Sequence, residues 1–120
     1  MTLERQQLGR TGERLARDHL EEAGYRIIES NYRTRAGEID LIAIDREFLV
    51  FIEVKTRSSR RFGDPLEALT SSKCRQISKV ALEYLSRNDY HNRPARFDVV
   101  AILTGPPVQV QVVKNAFDLL

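Results

Sequence analysis

The sequence predicts an α/β fold in which a mixed sheet of about five strands is flanked by helices. The first observation is the order of its segments, since helical and β-rich patterns follow one another as helix, strand, strand, strand, helix, strand, strand. The second is size and composition, because 120 residues with 42% hydrophobic side chains can bury one core without disulfides or metals. We therefore expect residues 1 to 120 to form a single domain.

Residues 3 to 23 have the pattern of an amphipathic helix. Its apolar positions recur at helical spacing: Leu8, Leu15, Ala16, Leu20 and Ala23. Gly24 follows as a C-cap, the usual end of a helix. Gly9 and Gly12 each cost about 1 kcal/mol relative to alanine within a helix. We expect these two glycines to let the helix approach another backbone closely.

Three β-rich segments follow the first helix. Residues 25 to 32 predict a strand, and residues 37 to 57 predict a β-hairpin whose polar break lies at Asp45, Arg46 and Glu47. Runs of Ile, Leu, Val and Phe without proline are typical of strands, and the charged break is where the chain can reverse.

The second half of the chain predicts a helix and two further strands. Thr70 or Ser71 caps a helix that runs to about Arg87, with one apolar stripe. Its stripe consists of Ile77, Val80, Ala81, Tyr84 and Leu85. Residues 96 to 103 form an apolar strand, and residues 108 to 112 alternate like an edge strand. We expect a short terminal helix over residues 115 to 120.

Three charged residues lie inside the otherwise apolar hairpin: Asp40, Glu53 and Lys55. A two-residue turn at Arg46 and Glu47 places Asp40 directly opposite Glu53, with Cβ atoms roughly 4.5 to 5.5 Å apart. Lys55, two residues further along, points to the same face. A loop of odd length, or a bulge, would instead place the two carboxylates on opposite faces. The predicted site depends on this parity.

Two carboxylates this close repel by about 4 kcal/mol at roughly 4 Å and an effective dielectric constant near 20. A proton on one carboxylate, the Lys55 ammonium group or a divalent cation between them would compensate this repulsion. Oxygen ligands favour a hard ion, and Mg²⁺ typically takes one or two carboxylates together with water and phosphate oxygens. Such an arrangement is suited to phosphodiester cleavage. The structural alternative is a salt bridge at a sheet edge.

A basic segment leaves the hairpin directly after the predicted site. Lys55 is followed by Arg57, Arg60 and Arg61, with no acid before Asp64, in an irregular loop. Cations at this place would hold a phosphate backbone, although solvated surface charge has the same sequence pattern. Other residues that would extend the basic surface are Arg33, Arg35, Lys73, Gln76 and Lys79. For Asp98 in the later strand we consider a partner of the site or a structural acid.

Composition excludes internal disulfides, cysteine-based zinc sites and membrane-spanning segments. Cys74 is the only cysteine, which excludes an internal disulfide and a cysteine-based zinc site and fits a reducing cytoplasm. No apolar run approaches the roughly 18 residues of a transmembrane helix, and residues 1 to 10 are too polar for a signal peptide. The net charge of +2 is too small to indicate nucleic acid by itself.

Two segments of the hairpin together resemble the YraN-like family of small bacterial proteins. These are residues 37 to 43, GEIDLIA, and residues 51 to 57, FIEVKTR. The resemblance extends over nearly the whole chain, including Gly12-Glu13, Gly24-Tyr25, Phe62-Gly63-Asp64-Pro65, Arg96-Phe97-Asp98-Val99-Val100 and Asn115-Ala116-Phe117. That family belongs to the PD-(D/E)XK nuclease superfamily and is most similar to archaeal Holliday junction resolvases.

The resemblance implies a restriction-endonuclease-like core and assigns roles within it. Asp40 and Glu53 would bind Mg²⁺ or Mn²⁺, Lys55 would act on the attacking water, and Glu13 on the first helix would complete the metal shell as an accessory acid. Where the family often has Lys-Gln at the start of the second helix, this chain has Lys73-Cys74, with Gln76 nearby.

We therefore expect a metal-dependent nucleic-acid phosphodiester hydrolase, an endonuclease acting on DNA and, by the resemblance, on branched or junction DNA. Junction cutting calls for paired active sites, so a homodimer would accompany that substrate. A non-catalytic nucleic-acid-binding module of the same fold is the first alternative. A protein-interaction domain in which the acids form a buried ion pair is the second.

Overall fold

Five strands form one mixed sheet in which they keep their order along the chain. The computed structural model describes residues 3 to 90 and 92 to 118. The strands are β1 (Arg26–Thr34), β2 (Gly37–Asp45), β3 (Phe48–Arg57), β4 (Ala95–Leu103) and β5 (Gln109–Val113). Strands β3 and β4 are parallel, and every other neighbouring pair is antiparallel.

Two helices cover opposite faces of this sheet. Ala16 and Leu20 of α1 (Leu3–Glu22) pack in one buried cluster with Leu41, Ala43, Val50 and Ile52. The buried stripe of α2 (Ser71–Arg87) packs in a second cluster with Ile39, Ile42, Leu49 and Phe51. Alternate residues of β3 thus face α1 or α2, whereas on β2 the alternation is interrupted between Ile39 and Leu41. The predicted α/β class and the flanked five-stranded mixed sheet are confirmed and agree with a restriction-endonuclease-like core.

The two glycines of α1 have different surroundings. A Cβ atom on Gly12 would collide with the side chain of Thr56 on β3, so this glycine permits a close approach, to a side chain and not to the backbone that the sequence predicts. A Cβ atom on Gly9 would meet nothing within 4 Å, and here the expectation of a close approach is wrong. Gly24 follows the helix with φ 97°, a left-handed conformation that suits a C-cap.

The parallel connection from β3 to β4 runs through two short 3₁₀ helices and α2. The 3₁₀ helices are Arg60–Phe62 and Pro65–Ala68, where the sequence predicts an irregular loop and a short turn. Thr70 caps α2, because its Oγ1 accepts a hydrogen bond from the Lys73 N–H group at 3.1 Å. Neither helix in the part of the chain that the structure describes is long and apolar enough to cross a membrane.

The predicted terminal helix over residues 115 to 120 is wrong as far as the described residues extend. Lys114 and Asn115 form a turn, and no helix follows up to Asp118, while residues 119 and 120 lie outside the described part. The N–H group of Asn115 bonds to Oδ1 of Asp98, and that of Ala116 bonds to the carbonyl of Phe97. Because β4 accepts these hydrogen bonds, the segment stays beside the sheet and does not form a helix.

Candidate active site

The β2–β3 hairpin has the two-residue turn on which the site prediction depends. Arg46 adopts a left-handed φ of 58° in this turn, between Asp45 and Phe48, which pair with each other. The same register continues through Leu41 opposite Ile52 without a bulge. The paired register ends there, and Asp40 and Glu53 are the next residues of the two strands.

The carboxyl groups of Asp40 and Glu53 lie close enough to interact through charge, and a proton on one of them would join them by a hydrogen bond. Oδ2 of Asp40 also accepts a hydrogen bond from the Val54 N–H group at 2.8 Å, which fixes its orientation across the two strands. Glu53 is buried, with 6% of its surface exposed, and Asp40 is half-buried. The two acids therefore form a compact pair with little water around it.

Burial is the main reason why the pKa of Asp40 is raised to about 7, and the negative charge of Glu53 is the second. The hydrogen bond to Glu53 acts in the same direction, while the Val54 N–H group favours the ionised form and lowers the pKa. Near neutral pH the pair can therefore hold a proton between its carboxyl groups. That proton offsets the repulsion expected for two adjacent carboxylates.

Two lysines approach the two oxygens of Glu53 from different elements. Nζ of Lys55, on the same strand, lies 3.5 Å from Oε1, and Nζ of Lys73, in the first turn of α2, lies 3.7 Å from Oε2. Both side chains are partly exposed, at 21% and 29%. The sequence placed Lys73 only on the basic surface. Lys73 reaches the carboxylate pair because α2 packs over this face of the sheet.

Two further residues of α2 lie near the carboxylate pair: Cys74 is close to Glu53, and Gln76 packs over the start of β2. Cys74 is buried, and burial together with the charge of Glu53 raises the pKa of its thiol. The side chain of Gln76 covers Gly37, the first residue of β2, so closely that a Cβ atom on this glycine would lie 2.5 Å from it. The glutamine predicted for nucleic-acid contact thus packs over the strand that carries Asp40.

Glu13 belongs to the helix on the other face of the sheet. Its Oε1 accepts a hydrogen bond from Nδ2 of Asn31 at 3.2 Å. Asn31 lies on β1 between residues that pair with Leu41 and Ile39, which brackets the position of Asp40. Among the residues that the structure describes, no group of three or more His, Cys, Asp or Glu side chains could hold a metal ion. A metal-binding role of Glu13 stays a prediction.

Several of the predicted phosphate contacts have acidic or polar partners. Nε of Arg33 lies 2.6 Å from Oε2 of Glu38, and Nε of Arg60 lies 3.6 Å from Oδ2 of Asp64. Arg57, half-buried at the end of β3, donates a hydrogen bond to the carbonyl of Thr56. The predicted cations that are exposed on the surface are Arg33, Arg35, Arg60, Arg61 and Lys79.

Asp98 belongs to a different cluster. It pairs in register with Ile52, so it faces α1 and not the face that carries Glu53. It is fully buried and accepts hydrogen bonds from the Tyr25 hydroxyl at 2.7 Å and from Arg96 at 2.9 Å. The structural alternative considered for Asp98 therefore describes its place in the fold.

The fold and this cluster define an α/β protein with a restriction-endonuclease-like core and a carboxylate pair beside a lysine at the hairpin. Residues 12–102 match the sequence profile of "Uncharacterised protein family UPF0102", and the chain belongs to this family. This agrees with the resemblance to YraN-like proteins.

Three relatives illustrate how closely the family resembles this chain. A UPF0102 protein from Geobacter metallireducens is 47% identical over 120 residues, covering 99% of this chain and 98% of the relative. One from Rhodococcus opacus is 49% identical over 112 residues, covering 92% and 95%. One from Alkaliphilus metalliredigens is 43% identical over 110 residues, covering 92% and 96%.

Proposed function

We propose that this protein is a metal-dependent hydrolase of nucleic-acid phosphodiester bonds, an endonuclease acting on DNA. The observation that carries the proposal is the adjoining pair of carboxyl groups on Asp40 and Glu53, with the Lys55 ammonium group beside Glu53. Two adjoining carboxylates in a poorly hydrated position cost stability. Groups that perturb each other in this way are typical of functional sites, where the charge serves a ligand or a reaction.

The donor set fits a hard divalent cation. Asp40 and Glu53 offer carboxylate oxygens alone, the ligands that Mg²⁺ and Mn²⁺ prefer, and Mg²⁺ needs only one or two of them when water and phosphate complete its shell. Loss of the proton from Asp40 would make both acids available. Glu13 would add a third acid only if it exchanged its bond to Asn31 for the cation.

A cation held there would lower the pKa of a bound water and neutralise charge on the phosphate. Lys55 would orient the attacking water, because its ammonium group is fixed 3.5 Å from Glu53 and still reaches solvent. Lys73 would hold the other oxygen of Glu53 and so keep that carboxylate in one orientation. The cations that follow Lys55, from Arg57 to Arg61, would bind the flanking phosphates.

Branched or junction DNA is the substrate that the family resemblance adds to this proposal. Cutting two strands of a junction symmetrically requires two active sites, and a homodimer would supply them. A hydrodynamic measurement of the free protein and of its junction complex addresses this part separately. A monomer on every DNA would remove the junction version while leaving phosphodiester hydrolysis intact.

A non-catalytic nucleic-acid-binding module is the second candidate, and the lysines favour it. Lys55 and Lys73 contact both oxygens of Glu53, and a proton on Asp40 neutralises the second carboxyl group. The pair can therefore be balanced without any ion. A module of this kind would bind nucleic acid with strong salt dependence and would keep that affinity when Asp40 is replaced.

Calorimetric titration with Mn²⁺ separates the two candidates when wild type is compared with Asp40→Asn. Asp18→Asn, which changes an exposed acid of α1, is the matched control. The hydrolase proposal expects Mn²⁺ binding in wild type and in Asp18→Asn, and its loss in Asp40→Asn. Labelled four-way junction and matched duplex are then incubated with Mg²⁺, and only the two metal-binding proteins should cut.

DNA binding without metal uptake or product would contradict the hydrolase proposal and leave the binding module. Equal cleavage by Asp40→Asn and wild type would also contradict it, because the carboxylate pair would then have no part in the reaction.

A further inference from the structure

An open groove of about 840 Å³ lies between the first two turns of α1 and the end of β3. Four residues of α1 line one wall, Glu4, Arg5, Leu8 and Gly9, and residues 54 to 58 line the other. Lys55 is one of these residues and also contacts Glu53, so the groove and the candidate active site share this side chain. The function proposed above uses Lys55 and Arg57 of this lining, but not the wall that α1 contributes.

The groove carries more positive than negative charge, together with hydrogen-bonding groups and the apolar residues Leu8 and Val54. Among the lining residues that the structure describes, the cations are Arg5, Lys55 and Arg57, and Glu4 is the one acid. Thr56 and Ser58 add hydroxyl groups. None of the described residues that line it is aromatic. Cations and hydroxyl groups recognise phosphate and sugar, whereas base recognition in single strands relies on aromatic stacking. The composition thus suits a nucleic-acid backbone read without regard to sequence.

Gly9 supports the same conclusion from the side of the helix. Glycine costs about 1 kcal/mol relative to alanine inside a helix, and close packing is the usual reason to accept that cost. Gly12 has this reason, since a Cβ atom there would collide with Thr56. Gly9 has no such neighbour within 4 Å, although it lines the groove. Without a side chain at this position, the wall of the groove is open to a bulky ligand.

We propose that this groove binds the sugar-phosphate backbone of a single nucleic-acid strand that continues from the phosphate at Lys55. The volume lies within the roughly 300 to 1,000 Å³ of ligand clefts, enough for a few nucleotides of one strand and too little to enclose a duplex. The inference rests on the proposed function for the identity of the ligand, and it adds that the substrate is single-stranded on one side of the cleavage site.

Filling the groove at Gly9 tests this proposal. Gly9→Phe puts a large side chain into the groove, and Gly9→Ala and Gly9→Gln give smaller steps that safeguard against misfolding. Gln7→Phe is the matched control, because Gln7 is exposed on the same helix and does not line the groove. Circular dichroism and thermal unfolding establish that each variant is folded.

Fluorescence anisotropy with a short labelled single strand and a matched duplex, without divalent metal, measures binding apart from cleavage. We expect Gly9→Phe to weaken single-strand binding about tenfold, a change of about 1.4 kcal/mol. Gly9→Gln should weaken it by less, and Gln7→Phe should match wild type. Duplex binding should change little in any variant.

Unchanged single-strand affinity in folded Gly9→Phe and Gly9→Gln would overturn the groove proposal, as would an equal loss of duplex affinity. Cleavage with Mg²⁺ separates this result from the proposed function. Affinity that depends on Gly9 without any cleavage supports the groove and removes the hydrolase. Cleavage by Gly9→Phe with wild-type affinity supports the hydrolase and removes the groove. Wild type that binds no oligonucleotide overturns both.

Discussion

The pKa of the Asp40 carboxyl group reflects its surroundings and bears on the proposed function. Asp40 is half-buried beside Glu53, and both the loss of water and the charge of Glu53 favour its protonated form in the folded protein. In the unfolded chain the same group is surrounded by water and titrates near 3.8. The fold therefore binds a proton that the unfolded chain releases over the pH range between these values.

This difference predicts how Asp40 makes stability depend on pH. The folded state binds more protons than the unfolded state between about pH 4 and pH 7, so the contribution of Asp40 to the free energy of unfolding falls as pH rises through this range. Asp40→Asn removes the titrating group. The free energy of unfolding of Asp40→Asn minus that of wild type should therefore increase by about 2 to 4 kcal/mol as the pH rises from 4 to 8.

Urea unfolding followed by circular dichroism at several pH values measures this gain. The difference between the two proteins isolates Asp40 from other groups, such as Asp45, whose pKa is lowered mainly by its hydrogen bond to Arg96. Asp18→Asn, at an exposed position, should follow wild type at every pH. A constant difference between wild type and Asp40→Asn would show that the proton is not held at Asp40.

The sequence could predict the meeting of Asp40 and Glu53 because a strand alternates with a fixed period and the turn of the hairpin is local. It could not place Lys73 at Glu53, since that contact depends on how a helix packs across the sheet. Glu13 was assigned by resemblance alone. Its hydrogen bond to Asn31 depends on the position of α1 relative to β1, which no local pattern of either segment specifies.

At the scale of elements, α1 combines a packed glycine with an open one. Gly12→Ala would drive a methyl group into Thr56, and we expect a loss of about 1 to 3 kcal/mol of unfolding free energy. Gly9→Ala meets nothing within 4 Å and should gain up to about 1 kcal/mol from helix propensity. Chemical unfolding of the two single variants measures both effects in one helix.

A double variant serves as the control for this contrast. Thr56→Ala removes the atoms that the new methyl group would meet, so Gly12→Ala should cost less in its presence. Equal losses with and without Thr56→Ala would mean that the helix fails for another reason. Equal effects of alanine at the two glycines would contradict the packing role of Gly12.

Local pattern predicted the helices and strands well because the apolar periodicities of 3.6 and 2 report which face is buried. The local pattern failed after β5, where it predicts a short terminal helix. Asn115 there has a left-handed φ of 54°, and its N–H group bonds to Asp98, which is distant in sequence. A segment whose backbone donors are taken by another strand has no reason to satisfy them within a helix.

Across the whole molecule, ionisable groups collect in two places on opposite faces of the sheet. The carboxylate pair lies on the α2 face, and the network of Arg96 and Asp98 lies on the α1 face. Asp45, which Arg96 contacts at 2.7 Å, is five residues from Asp40 along β2, or about 16 Å. The two clusters are therefore separate in space and can be tested separately.

The network ties segments that are distant in the chain. Arg96 donates to Asp98, to Asp45 and to the hydroxyl of Tyr25, and Asp98 also accepts from the N–H group of Asn115. Tyr25 lies just before β1, Asp45 at the tip of the hairpin, and Asn115 in the turn after β5, while Arg96 and Asp98 belong to β4. Asp98 is fully buried with its charge matched by Arg96. Breaking one partner should therefore affect the stability of the whole domain.

We expect Asp98→Ala to lose about 3 to 5 kcal/mol of unfolding free energy, because it leaves the guanidinium group of Arg96 and the hydroxyl of Tyr25 short of a buried acceptor. Arg75→Met, at an exposed position of α2, should change stability by less than about 0.5 kcal/mol. Denaturant unfolding measures both. Mn²⁺ titration of folded Asp98→Ala then tests whether the loss is only structural. Mn²⁺ affinity equal to wild type would assign the network to the fold. Weaker Mn²⁺ affinity would mean that Asp98 also positions Asp40 and Glu53, contrary to the separation of the two clusters.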